Sequence, residues 1–333
     1  MPRVPAADGR ALLVEQLDLR SDCSRCTGLC CVGLHLVRSA DFAIDKPAGT
    51  PCPNLRTDFG CGIHARLPES GFPGCVAYDC LGAGQRVTAA VRAAHDGATW
   101  RDDPAAARDA FAALPVVTQL QELLWYLAEV LALPASAAVH DDARQALDRT
   151  APLADLAAAD LLALDVGAVR RSVGPLVDRA SALVRDAARG AARDSSQARD
   201  RRHRDGRRDA ASPHGTARAA APPDAPPALR APGTGVRRRL RPGADLVGAD
   251  LRGRDLTASD LRGALLLGAD LRGARLDAVD LLGADLRGAD ARGADLSRAL
   301  FLTPAQVSTC STDCAHTPLY LARSRACRSG RAR

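Results

Sequence analysis

From Ala244 the chain repeats every five residues: ADLVG, ADLRG, RDLTA, SDLRG, ALLLG, ADLRG, ARLDA, VDLLG, ADLRG, ADARG, ADLSR, ALFLT. The register holds for twelve units. Their central positions are Leu246, Leu251, Leu256, Leu261, Leu266, Leu271, Leu276, Leu281, Leu286, Ala291, Leu296 and Phe301. A five-residue step turns an α-helix through about 500°, which smears leucine around the cylinder and excludes an amphipathic helix. In an extended segment, residues i and i−2 share a face. That face carries leucine and alanine here, while Asp and Arg on either side of the leucine face water. Glycine two places after the leucine supplies the positive φ that a corner needs. Self-similarity at a short fixed period is the mark of a solenoid.

These units resemble the pentapeptide-repeat family, pattern A(D/N)LXX, over about 60 residues. The resemblance implies a right-handed quadrilateral β-helix with four units per coil, hence three coils. At about 4.8 Å between strands the stack is about 14 Å tall. Arg254 occupies an inward small-residue slot and should open that corner or escape to solvent. Ala291 in a leucine slot leaves a void or a narrower coil. Val247, Leu265, Leu267 and Leu282 point outward, which suggests a covered face. Thr303-Pro304-Ala305-Gln306 reads as a capping box, and the short helix it starts is expected to close the open end of the coil. Some members of the family mimic duplex DNA and bind DNA gyrase, which takes a long acidic rod. Residues 243–302 carry ten aspartates and eight arginines, mostly two apart. Neighbouring opposite charges on a short stack argue against that role.

The other concentration of chemistry is cysteine. Cys23-x2-Cys26-x3-Cys30-Cys31 is followed by Cys52, Cys61, Cys75 and Cys80. No signal peptide is read at the start, so a cytoplasmic protein with reduced thiols is expected and metal comes before disulfides. Two thiolates separated by two residues chelate one ion from a tight turn. Eight thiols suit two four-coordinate ions or one iron–sulfur cluster with spare cysteines. His64, three residues past Cys61, can replace a thiolate. Adjacent Cys30 and Cys31 project in different directions, so both on one ion is awkward. This stretch resembles the zinc- or iron-chelating CxxCxxCC family over about 60 residues, with one extra residue before the Cys30–Cys31 pair. Cys23, Cys26, Cys30 and Cys31 match the opening motif, and Cys52, Cys61 and Cys75 resemble later family cysteines. The pairing of the two zones also resembles uncharacterised actinobacterial pentapeptide-repeat proteins.

Between them lies a periodic, alanine-rich stretch. Asp103-Pro104 reads as a helix start, with Val116, Leu120, Leu123, Leu127, Val130 and Leu131 at helical steps. A second start is expected at Thr150 to Pro152. Val169, Val173, Leu176, Ala180, Leu183 and Ala187 give a third helix, with a kink or break at Gly174-Pro175. Trp125 and Tyr126 are adjacent and should face different sides, one of them at an interface. Residues 191–241 hold thirteen arginines against five aspartates and almost no large apolar side chain. They read as a disordered tether that carries the chain's positive charge and touches nucleic acid only weakly.

The expected organisation is a multidomain mixed fold. Residues 1–99 form a Cys-rich metal-binding module, 100–190 an α-helical bundle, 191–241 a linker, 242–302 the β-helix, and 303–333 a capping helix and disordered tail. Hydrophobic residues make up 47% but aromatics only 3%, so a single large, well-packed enzyme domain is not expected. No Ser-His-Asp order, His-x-x-x-His pair, paired glutamates or phosphate loop appears, and Gly82–Gln85 is too short to be one. Cys310, Cys314 and His316 make at most a loose second site. No run of apolar residues is long enough for a membrane span. The expected function is a non-enzymatic, zinc- or iron-stapled protein whose solenoid meets an unidentified protein partner. An iron–sulfur or thiol redox sensor is the alternative, and a gyrase effector the second alternative.

Overall fold

The computed structural model describes residues 6–209 and 240–313. The chain forms two compact units. Among the described residues, one takes in 6–180 together with Thr303–Thr309, the other 181–209, 240–302 and 310–313.

In the first unit the helices are α1 (Ala6–Gln16), α2 (Leu29–Gly33), α3 (Pro73–Ala77), α4 (Ala83–Ala94), α5 (Pro104–Ala132), α6 (His140–Thr150), α7 (Ala158–Ala163) and the start of α8 (Val166–Asp209). α5 begins as its sequence reads: the Asp103 carboxylate accepts from the Ala105 N–H at 2.8 Å, and Pro104 takes the first helical position. The other helices gather around it, with α1, α2, α4, α6 and α7 all in contact with α5. The Cys-rich segment and the helices share one compact unit. Every residue of α5 from Leu123 through Val130 is buried. A helix buried all round has neighbours on every side, so the expected single stripe is widened and Tyr126 is buried beside Trp125 rather than interfacial. The Tyr126 hydroxyl donates to Glu122 at 2.9 Å. Arg10 of α1 meets the buried Glu129 at 2.7 Å and lies 5.0 Å over the Trp125 ring, so these two charges are buried as a pair.

Three helical readings are corrected: the second start, the inward stripe of α8 and the end of α8; at Pro175 the break is excluded and the kink is not. Thr150 ends α6, its hydroxyl donating to the Ala146 carbonyl, and Pro152 sits in a 3-10 turn (Ala151–Asp155) before α7 begins. Pro175 lies inside α8 without ending it. Of the expected inward stripe, Val173 and Ala180 are buried, whereas Leu176 and Leu183 are half-buried and Val177, Ser181 and Arg185 are buried instead. α8 also runs on to Asp209 through what reads as the start of a linker. Ala, Arg and Gln are good helix formers, and no proline intervenes before Pro213. The rest of the linker, from 210 to 239, lies outside the described residues, as do Cys314 and His316. Among the described residues no single helix is long and apolar enough to cross a membrane.

The second unit is a repeat solenoid. Parallel bridges join residues twenty apart: Asp245 to Leu265, Asp250 to Asp270, Asp255 to Arg275, and onward to Asp280 with Leu300. Every central residue from Leu246 to Phe301 is buried. Ala291 is buried too and belongs to a short strand, β1 (Asp290–Ala291), paired in parallel with β2 (Ser311–Thr312). Arg254 is half-buried in its small-residue slot. Val247 and Leu265 are exposed, whereas Leu267 and Leu282 are half-buried. Within this unit, residues of α8 lie over part of the stack. The Ser181 hydroxyl donates to Asp280, Arg185 meets Asp260 at 3.0 Å, and Arg189 donates to the Ala258 carbonyl at 2.9 Å. The part of the stack that α8 covers is held by polar groups, while two of the outward apolar residues expected to be covered, Val247 and Leu265, are exposed.

The capping box of Thr303 and Gln306 is present and starts α9 (Pro304–Ser308). α9 packs on α3 in the first unit. It is β2 that adds a strand to the last coil, with the Ser311 N–H donating to the Ala289 carbonyl at 2.9 Å.

Most corners use glycine at φ near 60°, but Ala278 adopts φ 53°. An L-residue strains there. Ala278→Gly is expected to stabilise the unit by about 0.5 kcal/mol. Gly268→Ala, with nothing near its added methyl, should cost about 1 kcal/mol. Urea titration of the two variants checks both signs.

Candidate functional site

Three chain segments bring the amino-terminal cysteines together. The first is the turn from Cys23 to Cys31. Gly28 has φ 69°, and a side chain there would meet Leu55 Cδ1 at 2.7 Å and the Phe59 carbonyl at 3.0 Å. Only glycine permits both the dihedral and the approach. The turn is fastened to α4 by the Thr27 N–H on Thr88 Oγ1 at 3.1 Å, and to Trp100, whose indole donates to the Thr27 carbonyl at 2.7 Å. The second segment is the loop from Cys52 to Cys61. The Cys52 N–H donates to the Cys31 carbonyl at 2.9 Å. The Arg101 guanidinium stacks on Phe59 and Trp100 and donates to the carbonyls of Arg56 and Thr57. The third runs from α3, which carries Cys75, to Cys80 just before α4. Ser21 links it back to the chain start, donating to Asp79 at 2.6 Å and lying 3.2 Å from Cys80 Sγ.

The result is one cavity of about 420 Å³. Cys23, Cys26, Cys30, Cys31, Cys52, Cys61, Cys75 and Cys80 all line it, together with His35 and His64. Cys30 and Cys31 both line it. Among the described residues, no three Cys, His, Asp or Glu side chains close to the spacing of a single ion. Two sulfurs do stand near each other: those of Cys26 and Cys80 lie 2.8 and 3.6 Å from where a Gly84 Cβ would be.

The walls differ in strength. Cys26 and Cys80 pack against the main core of Leu29, Val87, Val91, Leu114 and Leu120. Cys61 and Cys75 pack against a small cluster whose fully buried members are Leu36, Leu67 and Phe72. Three buried side chains hold a loop-rich segment weakly.

Burial pushes the Cys26 thiol up, while the N–H groups of Leu29 and Gly28 and the Thr88 hydroxyl favour its thiolate. Cys80 follows the same pattern: burial raises it, and Ser21 with the N–H groups of Gly84 and Gly82 oppose that. Each sulfur is thus removed from water yet met by donors arranged for a negative charge. Burial also raises the Tyr78 phenol, whose surroundings include Cys80 and Cys30. Cys310 belongs to the second unit; burial pushes its thiol up to about 11.

Sequence reading missed His35, Tyr78, Ser21, Thr88 and Lys46. His35, four residues after Cys31, had the same kind of signal as His64. Ser21 and Thr88 had none, because their role depends on the fold.

Residues 244–283 and 264–301 each match the family model described as pentapeptide repeats (8 copies). The uncharacterized protein YybG of Bacillus subtilis (strain 168) is 42% identical over 172 residues, which is 52% of this chain and 61% of the relative. The match thus spans about three fifths of that relative's length. The carboxy-terminal unit is accordingly a pentapeptide-repeat solenoid.

Proposed function

We propose that the first unit is a thiolate-ligated metal-binding module and that the repeat unit presents a surface to a protein partner, without catalysis. The observation that carries the metal reading is the convergence of all eight amino-terminal cysteines on one cavity. The residues fit such a group in donor chemistry, in backbone N–H groups aimed at the sulfurs, and in the thin apolar support that a metal staple would reinforce. The opening motif, with its likeness to the CxxCxxCC family, points the same way. Bound metal would supply cross-links among thiolates from the three segments, with Cys23, Cys26, Cys30, Cys31, Cys52, Cys61, Cys75 and Cys80 as candidates and His35 and His64 as alternates.

An iron–sulfur cluster is the second reading, and the size of the cavity favours it. A lone ion touches four donors within a few ångströms, whereas here eight thiols ring about 420 Å³. For the repeat unit we propose a right-handed quadrilateral β-helix of three coils. The twenty-residue bridge offset supports it, since it divides into four five-residue units.

Elemental analysis and an absorption spectrum of anaerobically purified protein test the module. Zinc without colour supports the structural site. Iron with a thiolate-to-iron charge-transfer band supports the cluster. Protein with neither metal, even after incubation with zinc or ferrous iron, removes the reading.

A further inference from the structure

Lys46 is the chain's one lysine, and it is buried. Its ammonium, with three N–H groups to share, lies within hydrogen-bond distance of four backbone carbonyls: Leu34 at 2.5 Å, Thr50 at 2.9 Å, Val32 at 3.0 Å and Pro47 at 3.2 Å. Among the described residues no carboxylate pairs with it. The carbonyl cage satisfies its N–H groups but brings no negative charge, and an unpaired buried cation is costly. Burial pushes the Lys46 ammonium below the usual lysine range, and the groups that oppose this by favouring its charge are Cys52, Cys31, Cys30 and Cys75. They come from all three segments that build the cavity, and all of them line it. Every other basic residue is arginine, whose guanidinium is larger than a cage of this kind and suits carboxylates in a fork. A compact ammonium is what four converging carbonyls select.

The charge has a use if the cavity is loaded. Four thiolates around a divalent ion leave a net charge of about −2 in a water-poor site. A fixed cation behind the wall, bonded to the carbonyls of Val32 and of the lining residue Leu34, offsets part of it. The cage holds that cation in place while leaving the thiolates to the metal.

We infer that Lys46 is the resident counter-charge of the cysteine cavity, a positioning residue that strengthens metal binding without ligating the metal. This rests on the metal-binding reading above. The same ammonium also ties four carbonyls together, so the test must separate charge from scaffolding.

Zinc affinity is measured by competition with a chromophoric chelator for the full chain and for Lys46→Met and Lys46→Gln. Melting temperature is measured with and without zinc. Loss of the charge is expected to weaken zinc binding on the order of ten-fold or more. It should also lower the melting temperature more in the zinc-loaded protein than in the zinc-free one. Lys46→Gln keeps an amide donor in the cage and serves if the methionine variant does not fold. Equal melting losses with and without zinc, at unchanged affinity, make Lys46 a scaffold residue and overturn the inference. A wild-type chain that takes up no zinc and no iron overturns the metal reading itself, and this inference with it.

Discussion

Stripping metal from the full chain with a strong chelator is expected to lower the melting temperature of the first unit by about 10 °C or more, and to leave the repeat unit's transition in place. The segments bearing Cys30, Cys31, Cys52, Cys61 and Cys75 rest on a cluster with only Leu36, Leu67 and Phe72 fully buried. In small modules of this kind, metal-binding energy is folding energy. For a unit of this length, each kcal/mol lost moves the midpoint by roughly 2–4 °C. The main core around α5 does not depend on the cavity, so the loss should be local rather than complete. Tryptophan fluorescence reads it directly, because both tryptophans lie in the first unit and Trp100 bonds to the Thr27 carbonyl in the first cysteine turn. Hydrogen exchange should rise across residues 23–80 while α5 stays protected. An unchanged melting temperature and unchanged Trp100 emission after removal would show that the loops stand without metal.

How much of this was legible in the sequence follows from how local each signal is. The five-residue register fixed every inward leucine of the stack, because alternation and corner glycines act within a few residues. The Asp103–Pro104 start was equally local. The burial of Tyr126 and Glu129 was not, since it requires α1 to bring Arg10 across α5. The extension of α8 to Asp209 was hidden by composition: an arginine-rich, leucine-poor run reads as a tether, although its residues favour helix. In the site, cysteine spacing showed that the thiols belong together. It carried no trace that Thr88 and Ser21, from outside the motif, would meet two of the sulfurs. Lys46 carried no site signal in the sequence, because the carbonyls around it are brought there by the fold. The α8 contacts to Asp260 and Asp280 join residues about 75 to 100 apart in sequence, which no periodicity encodes.

Leu266→Ala is expected to cost the repeat unit about 3–5 kcal/mol, and Leu246→Ala roughly half as much. Both leucines are buried, Leu266 completely. Removing a buried leucine side chain loses its transfer energy and leaves a cavity that the neighbours fill only in part. What separates the two positions is stacking. The twenty-residue offset places Leu266 in the middle of the stack, with Leu246 one coil before it and Leu286 one coil after. Leu246 lies in the first described coil, so only Leu266 and its coil stack on it. In a solenoid, stability is close to a sum over units and nearest-neighbour interfaces. A central deletion therefore weakens two interfaces and a terminal one weakens a single interface. Hydrogen exchange of the ladder amides distinguishes them: Leu266 N–H, which donates to the Asp285 carbonyl, and Leu246 N–H, which donates to the Leu265 carbonyl. Leu266→Ala should lower protection on both sides of the middle coil, and Leu246→Ala only at the start of the stack. Equal losses from the two substitutions, spread evenly along the unit, would mean that the coils fold as one globular core rather than as a stack of neighbours.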